Sequence, residues 1–121
     1  AKFELDAVRD IKASFLSGGQ KKKLTVSLAL LGNPKVLLLD EPFAALDVMT
    51  IKMLQQIIVN LQSESNISVV LCDHQARDLL TCVDKAIVLS NCKIVATGTP
   101  SELINNNEAK SAYFGDSFKL Y

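Results

Sequence analysis

The segment 36–42 (Val-Leu-Leu-Leu-Asp-Glu-Pro) constrains the fold of this chain more than any other. Four apolar residues lead directly into two adjacent carboxylates, Asp40 and Glu41, and Pro42 then ends the run. A short, unbroken apolar stretch is typical of a strand buried on both faces, as in parallel sheets. Open α/β sheets bind their ligands at the carboxyl ends of such strands. The two acids therefore indicate either a ligand site or a solvated loop, and the strand alone does not decide between them.

Composition limits the classes of protein to which the chain can belong. It has 121 residues, 49% of them apolar, which is enough for one globular domain with its own core. No apolar stretch approaches the length of a membrane span, and the first ten residues do not resemble a signal peptide. Thirteen basic and thirteen acidic residues cancel, which argues against nucleic acid as a general electrostatic partner.

The cysteines and the single histidine do not have the spacing of a zinc site. Cys72, Cys82 and Cys92 lie in or beside apolar segments, and His74 is the only histidine. We interpret the three as reduced cysteines of a cytoplasmic protein, with Cys72 in the core.

Apolar periodicity and turn residues predict an α/β order of elements. Asp47 is the expected N-cap of the longest helix, and Gly32 is the expected C-cap of the helix before the first strand. Asn91 and Cys92 are expected to form a tight hairpin turn. Helices are predicted at 3–12, 20–31, 48–64, 75–82, 102–105 and 108–114, and strands at 35–40, 67–72, 85–90 and 93–97.

The segment 16–20 (Leu-Ser-Gly-Gly-Gln) is a second candidate for ligand binding. Two glycines before a helix allow close approach of a ligand, and the free amides and dipole of the helix start favour an anion. The alternative is a serine N-cap with glycines in a simple turn. The following lysines, Lys21 to Lys23, are interpreted as a solvated first helical turn.

Taken together and in this order, these segments resemble the C-terminal half of an ABC-type ATPase domain. Residues 16–20 are similar to its signature motif, residues 36–41 to its Walker B strand, residues 45–47 to its D-loop, and His74 to its switch histidine. The resemblance implies a partial P-loop NTPase fold of the α/β class. That fold would contain the end of a helical subdomain, parallel strands with crossover helices, and a C-terminal antiparallel hairpin with short helices.

The resemblance also implies roles for three residues of the hydrolytic site. Asp40 would hold Mg²⁺, through water, because Mg²⁺ prefers oxygen ligands and keeps much of its hydration. Glu41 would orient and deprotonate the water that attacks the γ-phosphate of ATP. His74 would contact the γ-phosphate and sense its presence.

Other residues would act across a dimer interface. Asp47 would reach the second ABC ATPase subunit, a second copy of the same chain, and couple the two sites. The signature residues would clamp the nucleotide bound to the opposite subunit; they are Ser17, Gly18, Gly19 and Gln20. Transmembrane transporter subunits would be further partners, and the protein would lie in the cytoplasm, peripherally on the inner face of the cell membrane.

Within the family, residues 73–80 and 113–120 resemble the lipopolysaccharide export ATPases, and branched-chain amino-acid importers share part of this pattern. The resemblance divides the chain into a helical-subdomain portion, 1–32, and a portion with the Walker B, D-loop and switch segments, 33–121. Two alternatives remain open. One is a non-transport ABC ATPase of translation or DNA repair, and the other is a non-catalytic half-domain that supplies only the clamp to a partner.

The sequence departs from the family at several positions. It contains no Gly-x-x-x-x-Gly-Lys phosphate loop. We therefore expect the 121-residue chain alone to bind ATP poorly and not to hydrolyse it. Leu28 replaces a usual arginine, Val48 follows Asp47 where proline is usual, and Cys92 occupies a hairpin position that favours glycine.

Overall fold

The computed structural model describes residues 3–120, which divide into two compact units, residues 3–74 and residues 75–120. The predicted α/β order of elements is confirmed. The helices are α1 (Gly18–Leu30), α2 (Val48–Ser65), α3 (Ala76–Leu80), α4 (Pro100–Asn105) and α5 (Asn107–Ala109), and a π-helical turn, Lys110–Phe114, follows α5. The strands are β1 (Val36–Asp40), β2 (Ser68–Cys72), β3 (Ala86–Ser90) and β4 (Lys93–Gly98).

In the first unit, β1 and β2 pair in parallel, and α2 connects them. The register runs from Val36 opposite Ser68 to Asp40 opposite Cys72, so the two strands end side by side. Helix α2 forms because its apolar residues recur at helical spacing, and the predicted buried face is confirmed. The buried residues of α2 are Ile51, Leu54, Ile57, Ile58 and Leu61.

The core of this unit lies between α1, α2 and one face of the sheet. It joins Val26 of α1, Leu37 of β1, and Ile57 and Leu61 of α2. Burial of each such side chain contributes about 1.5–3 kcal/mol. This packing fixes α1 and α2 beside β1, the strand whose end carries Asp40.

The expectation that β1 is buried on both faces is wrong. Leu37 is buried, but Val36 and Leu38 are 55% and 73% exposed. Successive strand residues point to opposite faces, and within this unit helices pack on only one face. The placement of Cys72 in the core is wrong for the same reason, because Cys72 is exposed and alternates in phase with the exposed Val70.

Two local predictions about helices are also wrong. Residues 3–12 do not form one helix but contain a single 3-10 turn, Asp6–Val8, which buries no side chain. A segment this short cannot sustain a helix without a packed apolar face. After α1, the residue with a left-handed backbone is Asn33 (φ 50°) and not Gly32. Asparagine tolerates this conformation better than most residues do.

The second unit is built on the predicted antiparallel hairpin of β3 and β4. Asn91 and Cys92 form its two-residue turn with φ of 49° and 59°, and the pairing is irregular between Val88 and Leu89. Thr99 caps α4 in a capping box with Glu102. The buried residues of the unit are Leu80, Val88, Ala96, Leu103 and Ala109.

The cysteines are free, as expected for reduced thiols. Cys82 is partly buried in the second unit. Its burial, with a smaller effect of the Asp78 carboxylate, raises the pKa of the Cys82 thiol to about 11. The Cys82 thiol therefore stays protonated at neutral pH and is a poor nucleophile.

Candidate functional site

All of the predicted site residues lie in the first unit, where Glu41 contacts both Cys72 and His74. Glu41 follows β1 directly, and its N–H donates to the carbonyl of Cys72 at 2.7 Å, which extends the contact between the two strand ends. Its φ is 45°, in the left-handed region that side chains other than glycine rarely occupy. Such conformations cluster at functional sites, where surrounding contacts fix them.

The side chains of Glu41 and His74 meet at this end of the sheet. Glu41 Oε1 lies 3.4 Å from His74 Nδ1, and the two side chains are 56% and 66% exposed. A carboxylate beside an imidazole can share a proton or orient a water, and both groups remain accessible to a ligand. The structure thus brings together two residues that sequence analysis predicted from separate segments.

Asp73 contacts the histidine of this pair. Its side chain is fully buried and accepts the Phe43 N–H at 3.0 Å, and its second carboxylate oxygen lies 3.7 Å from His74 Nδ1. Phe43 is itself completely buried. Asp73 therefore links the loop after β1 to the residue that carries the imidazole. Sequence analysis gave Asp73 no role, because only its position next to His74 pointed to it.

Asp40 ends β1, and its residue is exposed at the same edge of the sheet. Among residues 3–120, no group of three or more His, Cys, Asp or Glu side chains is arranged as a complete metal site. Mg²⁺ differs from zinc in that one or two carboxylates suffice, because the ion keeps several waters and takes oxygens from a bound phosphate. The exposed carboxylate of Asp40 fits that requirement.

Asp47 is the N-cap of α2, as predicted. Its carboxylate accepts the Thr50 N–H at 3.0 Å and the Thr50 hydroxyl at 2.6 Å. The Thr50 hydroxyl and then the Thr50 N–H hold the pKa of Asp47 below its usual value, so the carboxylate is charged at neutral pH. Thr50 was not predicted; an Asp followed three residues later by a threonine is the sequence signal that could have indicated it.

The signature residues form the first turn of α1. The Ser17 Oγ accepts the Gln20 N–H at 3.2 Å, and the Gln20 Oε1 accepts the Ser17 N–H at 2.9 Å. This capping box makes Ser17 the N-cap of α1, with Gly18 and Gly19 inside the helix, and the cap is compatible with either interpretation of residues 16–20. A side chain added at Gly19 would lie 2.9 Å from the Thr50 methyl group, whereas Gly18 has open space around it. The signature turn thus packs directly on the start of α2.

The interpretation of Lys21 to Lys23 as a solvated turn holds only for Lys21. The Lys22 Nζ donates to the backbone carbonyl of Glu41 at 3.0 Å. The Lys23 side chain is only 15% exposed, and its Nζ lies 3.8 Å from Glu4 Oε2. No sequence pattern indicates these contacts, because both lysines reach residues far away in the chain.

Comparison with known proteins adds a family to this geometry. A family model described as "ABC transporter" matches residues 1–44. The lipopolysaccharide export ATP-binding protein LptB of Haemophilus influenzae is 36% identical over 118 residues, covering 98% of this chain and 48% of the relative. This chain is therefore similar to about half of an ABC transporter ATP-binding protein. The spermidine/putrescine import ATP-binding protein PotA of Spiroplasma citri is 39% identical over 115 residues, covering 93% of this chain and 33% of the relative.

Solved structures agree with this assignment of an ABC ATPase fold. An ATP-binding cassette of an ABC transporter in its ADP conformation aligns with a TM-score of 0.83 at 26% identity, over 94% of this chain and 46% of that one. CbiO1 from Clostridium perfringens, part of the ABC transporter complex CbiONQ, aligns with a TM-score of 0.79 at 28% identity, over 91% and 44%. The chain therefore spans about half the length of LptB and of these two structures. Across residues 3–120, no helix is long and apolar enough to cross a membrane.

Proposed function

We propose that this chain is the part of an ABC transporter ATP-binding subunit that contains the hydrolytic carboxylate, the γ-phosphate sensor and the signature motif. The observation that carries the proposal is the contact between Glu41 Oε1 and His74 Nδ1 at 3.4 Å, at the carboxyl edge of the β1–β2 pair. The similarity to LptB and to ATP-binding cassettes supports it. Residues 1–32 would be the helical-subdomain portion and residues 33–121 the remainder.

Glu41 is proposed as the general base. Its exposed carboxylate accepts a proton from a water, and that water attacks the γ-phosphorus of ATP while the bond to the leaving β-phosphate oxygen breaks. His74 is proposed to donate a hydrogen bond to the γ-phosphate. Asp40 would hold Mg²⁺, which supplies positive charge to the phosphate oxygens when bound.

The signature residues are proposed to act on a nucleotide held by a second subunit. Ser17 and Gly18 lie at the exposed start of α1, where the positive end of the helix dipole favours a phosphate. The charged Asp47 at the start of α2 is proposed to reach that second subunit, a homodimer partner. This arrangement would require two chains for each complete site.

The proposed cargo is a lipopolysaccharide, delivered through transmembrane partner subunits at the inner face of the cell membrane. The support is the named function of LptB, with 36% identity in Haemophilus influenzae and 35% in Escherichia coli. PotA supports the wider class of transport ATPases rather than this cargo. A role in translation or DNA repair, or as a non-catalytic clamp, would be favoured instead if the intact protein bound no transmembrane subunit.

The test is the substitution Glu41→Gln in the intact ATP-binding subunit that carries this chain. The amide keeps the shape of the carboxylate but cannot accept the proton, so kcat for ATP hydrolysis should fall about 100-fold or more. ATP binding should persist, and a nucleotide-bound dimer should accumulate. Steady-state turnover, filter binding and size-exclusion chromatography with ATP measure the three results.

Glu64→Gln is the matched control, because Glu64 is an exposed glutamate at the other end of α2. It should leave kcat within about twofold of wild type, as expected for a surface substitution outside the site. Turnover of the Glu41→Gln protein within a few-fold of wild type would contradict the role of Glu41.

A further inference from the structure

One hydrogen bond joins the signature helix to the residue proposed as the base. Lys22, in the first turns of α1, donates its Nζ to the backbone carbonyl of Glu41 at 3.0 Å. The same carbonyl accepts the Ala44 N–H at 3.3 Å, within the turn that follows β1. The Glu41 carbonyl thus has one local partner and one partner from a different element.

The neighbouring lysines show that this contact is specific to Lys22. Lys21 is exposed to solvent, and Lys23 lies near the carboxylate of Glu4. A lysine in the first turn of a helix is unfavourable, because its charge faces the positive end of the helix dipole. The backbone carbonyl of Glu41 is a negative pole that offsets this cost for Lys22.

Both backbone polar groups of Glu41 are engaged by other parts of the unit. Its N–H donates to Cys72 at the end of β2, and its carbonyl accepts from Lys22. Its φ of 45° is unfavourable for a glutamate, so these contacts oppose relaxation to an ordinary conformation. Because the backbone dihedrals set the direction of Cα–Cβ, they set where the Glu41 side chain starts and so limit the positions its carboxylate can reach near His74.

We propose that Lys22 is a positioning residue that orients the Glu41 carboxylate by binding the Glu41 carbonyl. Lys22 belongs to the helix that begins with the signature residues. A displacement of the start of α1 would therefore be transmitted to Glu41 by the Lys22 side chain. The inference rests on the proposed function of Glu41 as the base. It adds a residue, Lys22, that acts on the base through the Glu41 backbone carbonyl.

The first experiment compares Lys22→Met, Lys22→Arg and the control Lys21→Met in the intact subunit. Lys22→Met keeps the length of the side chain but removes the donor, and we expect kcat to fall about tenfold with KM for ATP unchanged, because misplaced groups lose rate rather than binding. Lys22→Arg retains donors and should recover kcat to within about threefold of wild type. Lys21→Met should have wild-type kcat.

Coupling to Glu41 separates positioning from general damage. In the Glu41→Gln background, Lys22→Met should cause no further loss, because there is no base left to position. The proposal is overturned if Lys22→Met leaves kcat unchanged, if Lys21→Met lowers kcat equally, or if the loss persists in full with Glu41→Gln.

Hydrogen exchange of the same proteins without nucleotide provides a readout that needs no turnover. The amide of Ala44, which shares the Glu41 carbonyl, should exchange faster in Lys22→Met than in wild type or Lys21→Met. Equal exchange rates of the Ala44 amide in all three proteins would show that Lys22 does not stabilise this turn. If wild type hydrolyses no ATP, the proposed function fails, and the exchange result alone still decides whether Lys22 fixes this turn.

Discussion

At the scale of residues, Gly19 and Thr50 determine how closely the first turn of α1 approaches the start of α2. A Cβ added to Gly19 would lie 2.9 Å from the methyl carbon of Thr50, which is closer than side chains normally approach. The Thr50 hydroxyl donates a hydrogen bond to the Asp47 carboxylate at 2.6 Å. Threonine is stiff at χ1, so it cannot turn away without losing that hydrogen bond. Thr50 therefore lies between the first turn of α1 and the Asp47 cap and is close to both.

Gly19→Ala should consequently destabilise the chain, while Gly18→Ala should not. The added methyl at position 19 overpacks against Thr50, which costs about 1–3 kcal/mol of unfolding free energy. The added methyl at position 18 meets open space, so we expect a change within about 0.5 kcal/mol. Urea denaturation of the two variants measures the difference, and equal stabilities would contradict the close contact.

Sequence patterns predicted the residues whose role follows from local chemistry. Asp47 precedes an apolar helical pattern, and it caps α2 as expected. The positions of Asp40, Glu41 and His74 at strand ends also follow from local patterns. The contacts of Lys22 and Asp73 do not, because each joins segments that are distant in sequence, and only the packing of α1 and β2 beside β1 brings those segments together.

At the scale of elements, the β3–β4 hairpin has a turn that its sequence only partly suits. Both Asn91 and Cys92 have positive φ, the geometry of a type I′ turn. Asparagine tolerates this conformation, but the Cβ of cysteine does not, and left-handed backbone costs an L-residue roughly 1–2 kcal/mol. The sequence predicted this strain, because the second position of such turns favours glycine.

Cys92→Gly should therefore stabilise the chain by about 1 kcal/mol, since glycine adopts positive φ without a steric penalty. Cys92→Ala removes the thiol but keeps a Cβ, so it should give no gain. Denaturation midpoints of both variants test the cause. A gain of the same size for alanine would show that the thiol, rather than the backbone, is unfavourable.

Local patterns failed where tertiary packing decides the outcome. Apolar spacing in residues 3–12 predicted a helix, but none of the apolar side chains of this segment is fully buried, and only the short turn Asp6–Val8 forms. The apolar run of β1 predicted burial on both faces, but Val36 and Leu38 are exposed. In both cases the sequence gives hydrophobicity, while burial depends on which other elements are present.

At the scale of the whole molecule, two observations bear on how a nucleotide would be held: the exposed apolar face of the sheet and the absence of a phosphate loop from the sequence. Val36, Leu38 and Val70 form an uncovered apolar face, and the chain spans about half the length of its relatives. The sequence contains no Gly-x-x-x-x-Gly-Lys loop to bind the β- and γ-phosphates. We propose that this chain supplies the base, the sensor and the signature turn, and that the nucleotide is held chiefly by other residues.

Calorimetric titration of the 121-residue chain with Mg-ATP tests this division of labour most directly. Without a phosphate loop, the exposed residues of the first unit should bind nucleotide too weakly to give measurable heat up to about millimolar ATP. Saturable binding at micromolar ATP would contradict the account. It would show that this chain holds the nucleotide by itself, at a site that Asp40, Glu41 and His74 do not explain.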